Sequence, residues 1–198
     1  DFIDEKAEKF LLINKRKIKN LFLTGDVFAI PSKEKWSQLY NLLDKDMKIL
    51  IAPGNHDIGE IKRFKIFNES VKQAKDFPII FKQDNNVFIL ENSIESGWHI
   101  QENTLKEIQM IHHNDTVFLL RHNIAAKDLI PLSNSRASLQ TGLPDLKEIN
   151  NLIKRNVIIV SGDGGAFKEL PRFFCRSYNN IKYIISGIGG IKGDEVLV

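Results

Sequence analysis

Seven short apolar runs punctuate this chain: 21–24 (LFLT), 48–52 (KILIA), 78–82 (PIIFK), 86–91 (NVFILE), 116–121 (TVFLLR), 156–161 (NVIIVS) and 181–186 (IKYIIS). They are continuous rather than alternating, the pattern of strands buried on both faces. Helical periodicity fills the gaps between them. Over 3–17, Ile3, Ala7, Phe10, Leu11 and Ile13 fall near one stripe. Over 33–45, Trp36, Leu39, Tyr40 and Leu43 do the same, with Ser32 placed as an N-cap. Segments 60–75, 102–112 and 145–155 repeat the pattern, and Asp145, following Pro144, is placed to cap the last of them. Strand and helix in alternation predict a layered α/β fold. With 198 residues there is material for one sizeable core, and no repeat or linker divides it, so a single domain over 1–198 is expected. Segment 123–144 stands apart, with weak periodicity and many turn residues; it reads as a long surface loop.

Charge and cysteine content narrow the function classes. Lys and Arg number 28 and Asp and Glu 25, a net +3 that is too weak to point to nucleic acid or a membrane surface. No apolar run approaches the roughly 20 residues that span a bilayer, and no secretory signal is visible. The one cysteine, Cys175, excludes an internal disulfide and fits a reducing compartment. These features predict a cytoplasmic protein, with Cys175 in "FFCRSY" expected as a buried thiol. The sequons at 68–70 and 114–116 have no secretory context to give them meaning.

The chemistry is carried by the residues that follow the apolar runs. In open α/β sheets, ligands bind beyond the carboxyl ends of the strands. Four runs here end in polar clusters at that point: Gly25-Asp26, Gly54-Asn55-His56-Asp57, His122-Asn123 and Gly162-Asp163-Gly164-Gly165. Asp, Asn and His are hard or borderline donors suited to Mn, Fe, Zn or Mg. A carboxylate bridges cations, an amide oxygen coordinates one, and an imidazole binds a metal or donates a proton. A glycine directly before Asp26, Asn55 and Asp163 lets the backbone turn sharply and come close to a bound group. "GD" alone is usually a simple turn and a lone strand-end His is usually structural; it is the ordered set of four that points to a site.

"LFLTGDVF" followed by "ILIAPGNHDIG" resembles the calcineurin-like metallophosphoesterase family. "ENSIESGWHIQENTLKEIQMI" is similar to that family's middle strand, turn and helix, and "VFLLRHNI" to its isolated-histidine motif. The resemblance implies a two-sheet β-sandwich flanked by helices, and hydrolysis of a phosphoester by a metal-activated water at a centre of two divalent ions (Mn, Fe or Zn). It implies that Asp26 bridges the metals, that Asn55 and His122 bind the second one, that His56 touches the phosphate and protonates the leaving oxygen, and that Asp57 orients His56. The substrate would be phosphorylated, and whether it is a monoester or a diester stays open.

Two departures bear on that expectation. The family's first-strand Asp-x-His motif does not precede Asp26: Asp1 and Asp4 are off any apolar run, and neither has His two positions on. Either the chain starts downstream of that strand or the motif is missing. The final Gly-His-x-His reads Gly162-Asp163-Gly164-Gly165, where Asp163 can replace the first His as a ligand and Gly165 cannot replace the second. The second-metal site is therefore expected to be the better preserved. A degenerate, non-catalytic module that binds a metal or a phosphate is the competing reading.

Lesser candidates complete the set. His99 in "SGWHI" is placed near the rim as a substrate contact, and Arg121 and Arg136 as phosphate clamps. The His112-His113 pair reads as a solvated helix end. "GIGG" at 187–190 lacks the Gly-Lys-Ser/Thr of a P-loop.

Overall fold

A computed structural model describes residues 5–43, 45–73, 75–132, 142–164 and 173–187. The elements in chain order are α1 (Glu5–Asn14), β1 (Asn20–Leu23), α2 (Lys33–Leu42), β2 (Lys48–Ile51), α3 (Asn55–Ile58), α4 (Ile61–Ser70), β3 (Ile79–Gln83), β4 (Asn86–Leu90), α5 (Glu102–Met110), β5 (Thr116–Arg121), α6 (Leu146–Ile153), β6 (Val157–Ser161), β7 (Phe173–Tyr178) and β8 (Ile181–Ser186). Strands β1 and β2 pair in parallel as one sheet; the other six form a second sheet in the order β3-β4-β5-β6-β8-β7. Within it β4, β5, β6 and β8 run parallel, and the edges β3 and β7 are antiparallel.

The continuous apolar runs have a direct explanation in this layering. Successive side chains point to opposite faces of a strand, and here both faces meet a core. Leu50 and Ala52, Leu90 and Leu120 pack with Phe22, Phe81, Phe88 and Phe118 between the sheets. The rings of Phe22 and Phe88 stack at 4.4 Å, and those of Phe88 and Phe118 at 4.8 Å. The alternate residues Val87, Ile89, Val117, Leu119, Val157 and Ile159 face α5 and α6, joined by Ile108, Ile149 and Ile153. Ile49 and Ile51 face Leu11, Trp36, Leu39 and Phe67 on α1, α2 and α4. The result is helices, sheet, sheet, helices, the expected sandwich.

The helix caps follow the sequence. Ser32 Oγ accepts from the Lys35 amide at 3.2 Å. Asp145 and Glu148 form a reciprocal capping box, with bonds of 2.8 and 2.7 Å. No helix among the described residues is long and apolar enough to cross a membrane.

Three expectations are corrected. Cys175 is exposed, because it lies on the sheet-edge strand β7, most of whose side chains are open to solvent. Segment 123–144 does not begin as a surface loop. Ile124, Ala125 and Ala126 are completely buried in the α5–α6 core, and Lys127–Leu132 forms a 3-10 helix that inserts Leu129 there. The edge strand β3 is half exposed rather than covered on both faces. The His112-His113 pair is exposed just beyond α5, as expected.

Candidate active site

Parallel pairing brings the ends of β4, β5 and β6 level, with Leu90 beside Leu120 and Arg121 beside Ser161. On the facing sheet the Ala52 amide donates to the Leu23 carbonyl at 2.9 Å, so β1 and β2 also end together. The loops after β1, β2, β5 and β6 therefore converge, and they hold Asp26, Asn55, His56, Asp57, His122 and Asp163.

Close approach depends on two glycines. A Cβ on Gly54 would stand 2.2 Å from Asp26 Oδ1, and one on Gly25 would stand 2.5 Å from the Gly54 nitrogen and 2.8 Å from His122 Nδ1. Gly25 also has φ +86°, a conformation only glycine adopts without strain. Asp26 follows at φ 52°, unusual for a residue with a side chain. It is pinned from both directions: its amide donates to Asp57 Oδ2 at 2.7 Å, and its Oδ1 accepts from the His56 amide at 2.8 Å. Backbone strain held this firmly is typical of functional positions.

Asp26 Oδ2 lies 3.4 Å from His122 Nε2, which lies 3.2 Å from Asn55 Oδ1. His122 Nδ1 is 2.9 Å from the Thr24 carbonyl. A carbonyl only accepts, so Nδ1 carries a proton; Nε2 is left for the other two groups, both acceptors, to which it donates when protonated, and loss of that proton frees its lone pair for a metal ion. His122 is almost wholly buried. Burial pulls its pKa down, but the hydrogen bond and charge of Asp26, helped by Asp163, carry it up to about 9. Burial raises the Asp26 carboxyl, yet the bond and charge from His122 and His56 leave it below its usual value. The cluster is thus a concentration of negative charge relieved by whatever cation is at hand, here the imidazolium of His122.

His56 is more open, with its side chain 40 % exposed. Its Nδ1 is 2.7 Å from the Ala29 carbonyl and its Nε2 is 4.0 Å from Asp26 Oδ2. Asp57 does not orient that ring. Its Oδ2 takes the amides of Asp26 and Gly54, at 2.7 and 2.9 Å, and ties the β1 and β2 loops together. Asp57 is fully buried, and burial lifts its carboxyl to about 6.

The expected substrate contacts fare differently. The Arg121 guanidinium is completely buried and points inward, so it cannot clamp a phosphate. It pairs with the equally buried Glu91 at 2.8 Å, and donates to the carbonyls of Trp98, His99 (3.3 Å) and Asn123 (2.8 Å). A guanidinium keeps its charge, so once buried it must be surrounded by acceptors. His99 is exposed; its carbonyl accepts from Arg121 and from Ser96 Oγ, and its amide donates to the Ser96 carbonyl at 3.3 Å. Arg136, Gly165, Gly189, Gly190, Asp1 and Asp4 lie outside the described residues.

A fifth strand end belongs to the site's support; the family resemblance marked its turn as lying on the active-site side, but Glu91, Asn92 and Ser93 were given no role. After β4, Glu91, Asn92 and Ser93 are buried polar residues. Ser93 Oγ accepts from the Asn123 amide at 3.0 Å and lies 3.2 Å from Asn123 Oδ1. The signal was the one used at the other four ends, a polar cluster directly after a buried strand.

The donor set can be tested against a divalent cation. Among the described residues no group of three or more His, Cys, Asp or Glu side chains could hold a metal ion. The convergent set is mixed: one carboxylate, one imidazole and one amide oxygen. Two donors about 2.1 Å from one ion, at 90–109° to each other, are about 3.0–3.4 Å apart. The separations at His122 match that spacing, so these three residues fit a partial cage. Asp163 is close enough to act on His122 by charge, and it accepts from Asn123 Nδ2 at 3.4 Å.

No curated protein sequence matches the chain. Among solved structures it is similar to the crystal structure of a phosphopantetheinyl hydrolase from Mycobacterium tuberculosis, with a TM-score of 0.54, 13 % identity, and coverage of 86 % of this chain and 79 % of that one. That likeness supports the fold. The family model described as calcineurin-like phosphoesterase matches residues 3–187. With sandwich, strand-end loops and sequence match in agreement, this chain belongs to the calcineurin-like phosphoesterase family.

Proposed function

We propose that this protein is a metal-dependent phosphoester hydrolase in which Asp26, Asn55, His122 and Asp163 hold a divalent cation, Mn, Fe or Zn, and His56 is the proton donor. The observation that carries the reading is the convergence of Asp26 Oδ2, His122 Nε2 and Asn55 Oδ1, from three strand ends, within 3.2 to 3.4 Å steps. When bound, a cation there supplies Lewis-acid polarisation of a phosphoryl oxygen and lowers the pKa of water.

The chain's own residues do the rest. The Asp26 carboxylate offsets the cation's charge, His122 and Asn55 add neutral donors, and Thr24 keeps the His122 ring in the ligating tautomer. With Nδ1 on the Ala29 carbonyl, His56 is left with Nε2 as the nitrogen that gives a proton to the leaving oxygen. Its exposure lets substrate reach it, and the bond to Ala29 fixes the ring's direction. Asp57 keeps the Asp26 and Gly54 loops in register, so its contribution is to shape.

His56→Ala tests the reading. Manganese-stimulated release of nitrophenol from 4-nitrophenyl phosphate, or from its diester, should fall about 10²–10⁴-fold in kcat. Manganese affinity should stay within a few-fold of wild type, because His56 is not among the proposed ligands. Unchanged turnover would remove His56 from the mechanism. The competing reading, a non-catalytic module that binds a metal or phosphate, is favoured by Asp163 and Gly165 standing where the family has histidines; it predicts cation binding with no turnover of either ester.

A further inference from the structure

The small net charge conceals a local concentration of positive charge far from the catalytic loops. No carboxylate occurs between Lys9 and Gly25, and Lys9, Lys15, Arg16, Lys17 and Lys19 all fall in that stretch. Glu5 and Glu8 are confined to the first turn of α1. Lys9, Arg16, Lys17 and Lys19 are exposed and Lys15 is half-buried. None of the five forms an ion pair among the described residues. Exposed Lys48 borders them, since its amide donates to the Lys19 carbonyl at 2.8 Å. The same surface leaves two aliphatic side chains in the open, Leu12 at 43 % exposure and Ile13 at 68 %. Lys9, Leu12 and Ile13 stand at i, i+3 and i+4, one face of the helix. Leu11 is buried in the opposite direction, where Phe10 and Ile18 pack with it. The turn between helix and strand is firm: the Lys17 and Ile18 amides donate to the Asn14 carbonyl at 2.7 and 3.1 Å, and Asn14 Nδ2 donates to the Phe10 carbonyl at 2.9 Å. The cations and the two aliphatic groups are thus presented on a preformed surface.

We propose that this face, from the outer side of α1 to the start of β1, is a docking surface for an anionic lipid bilayer. Charge complementarity sets the sign of the partner, and Leu12 and Ile13 set its kind. At a bilayer the cations meet headgroup phosphates while the aliphatic side chains enter the boundary with the acyl chains. Nucleic acid also attracts unpaired cations, but it gives exposed Leu and Ile nothing comparable to enter, and residues 9–19 hold no exposed aromatic ring to stack on a base. Lys19 and Lys48 stand at the starts of β1 and β2, whereas Asp26 and Asn55 follow the ends of the same strands. The docked face is therefore at the opposite end of the sandwich from the catalytic loops, which stay open to water. The proposal is independent of the metal-site reading.

Co-sedimentation of the full chain with vesicles tests it, using phosphatidylcholine mixed with phosphatidylglycerol against phosphatidylcholine alone. Wild type should sediment with the mixed vesicles, be released as salt is raised, and leave the neutral vesicles unbound. A basic residue near an anionic surface is worth about fivefold in partition, so Lys15→Gln with Lys17→Gln should bind about 25-fold more weakly. Leu12→Ser with Ile13→Ser, which keeps every charge, should bind about tenfold more weakly. Melting temperatures of both variants should stay near wild type, because none of the four side chains is buried. Failure of wild type to sediment with the mixed vesicles, or equal binding to the neutral ones, would overturn the proposal. So would wild-type partition in either variant. Duplex DNA bound more tightly than the mixed vesicles, with the serine variant matching wild type on both, would overturn it in favour of a nucleic-acid surface.

Discussion

Gly54→Ala should lower phosphoesterase turnover about a hundredfold while the fold persists. The added methyl would stand 2.2 Å from Asp26 Oδ1 and 2.6 Å from the Asp26 amide. These are separations that real Cβ atoms do not show, and one of the two obstacles is backbone. Relief requires the β1 and β2 loops to separate, which breaks the Asp57 bridge between them and draws Asp26 away from His122. Displacing a reacting group by about 1 Å commonly costs about 10² in rate. The sandwich core lies elsewhere, so the circular dichroism spectrum should be retained while steady-state turnover and manganese affinity both fall. Wild-type turnover in Gly54→Ala would show that the two loops need not touch.

The second large effect concerns stability. Arg121→Ala leaves the Glu91 carboxylate buried and unpaired, and removes donors from the carbonyls of Trp98, His99 and Asn123. Breaking one partner of a buried ion pair typically costs about 3–5 kcal/mol. The expected readout is a large fall in the denaturant midpoint and in Tm. Replacing both partners, as Arg121→Met with Glu91→Leu, should restore most of the loss, since apolar substitutes for a buried pair are often neutral. Had Arg121 been a phosphate clamp, Arg121→Ala would instead raise KM with stability intact.

The contrast between Arg121 and Asp26 shows what the sequence could and could not convey. The seven continuous apolar runs mark β1 to β6 and β8 within a residue or so at each end, the half-exposed edge β3 included. The missed strand, β7, is an exposed edge with no burial pattern to read. Its local signal was the Asn179-Asn180 pair, a two-residue hairpin turn with Asn179 at φ 48°. One turn of helix, α3, was also too short to show periodicity. At the site, the convergence of Asp26, Asn55 and His122 follows from strand order and strand ends, both of which leave sequence traces.

Side-chain direction leaves none. Arg121 and His122 are adjacent, yet one turns into the protein and the other to the site, because successive residues leaving a strand face opposite ways. The same blindness covered Asp57. The family resemblance implied a partner for the His56 ring, whereas a one-turn helix aims Asp57 backwards at the amides of Gly54 and Asp26. The run Ile124 to Ala126 was lost among turn residues, although its three apolar side chains end wholly inside the core.

The proposed function stands or falls with Asp26, Asn55 and His122 holding one cation between them. Manganese titration of the metal-free full chain, comparing wild type with His122→Ala, tests it most directly. Wild type should hold one tightly bound ion per chain and His122→Ala should lose it, with the metal-free variant still folded. Undiminished binding in His122→Ala, or two equally tight ions in wild type, would contradict it.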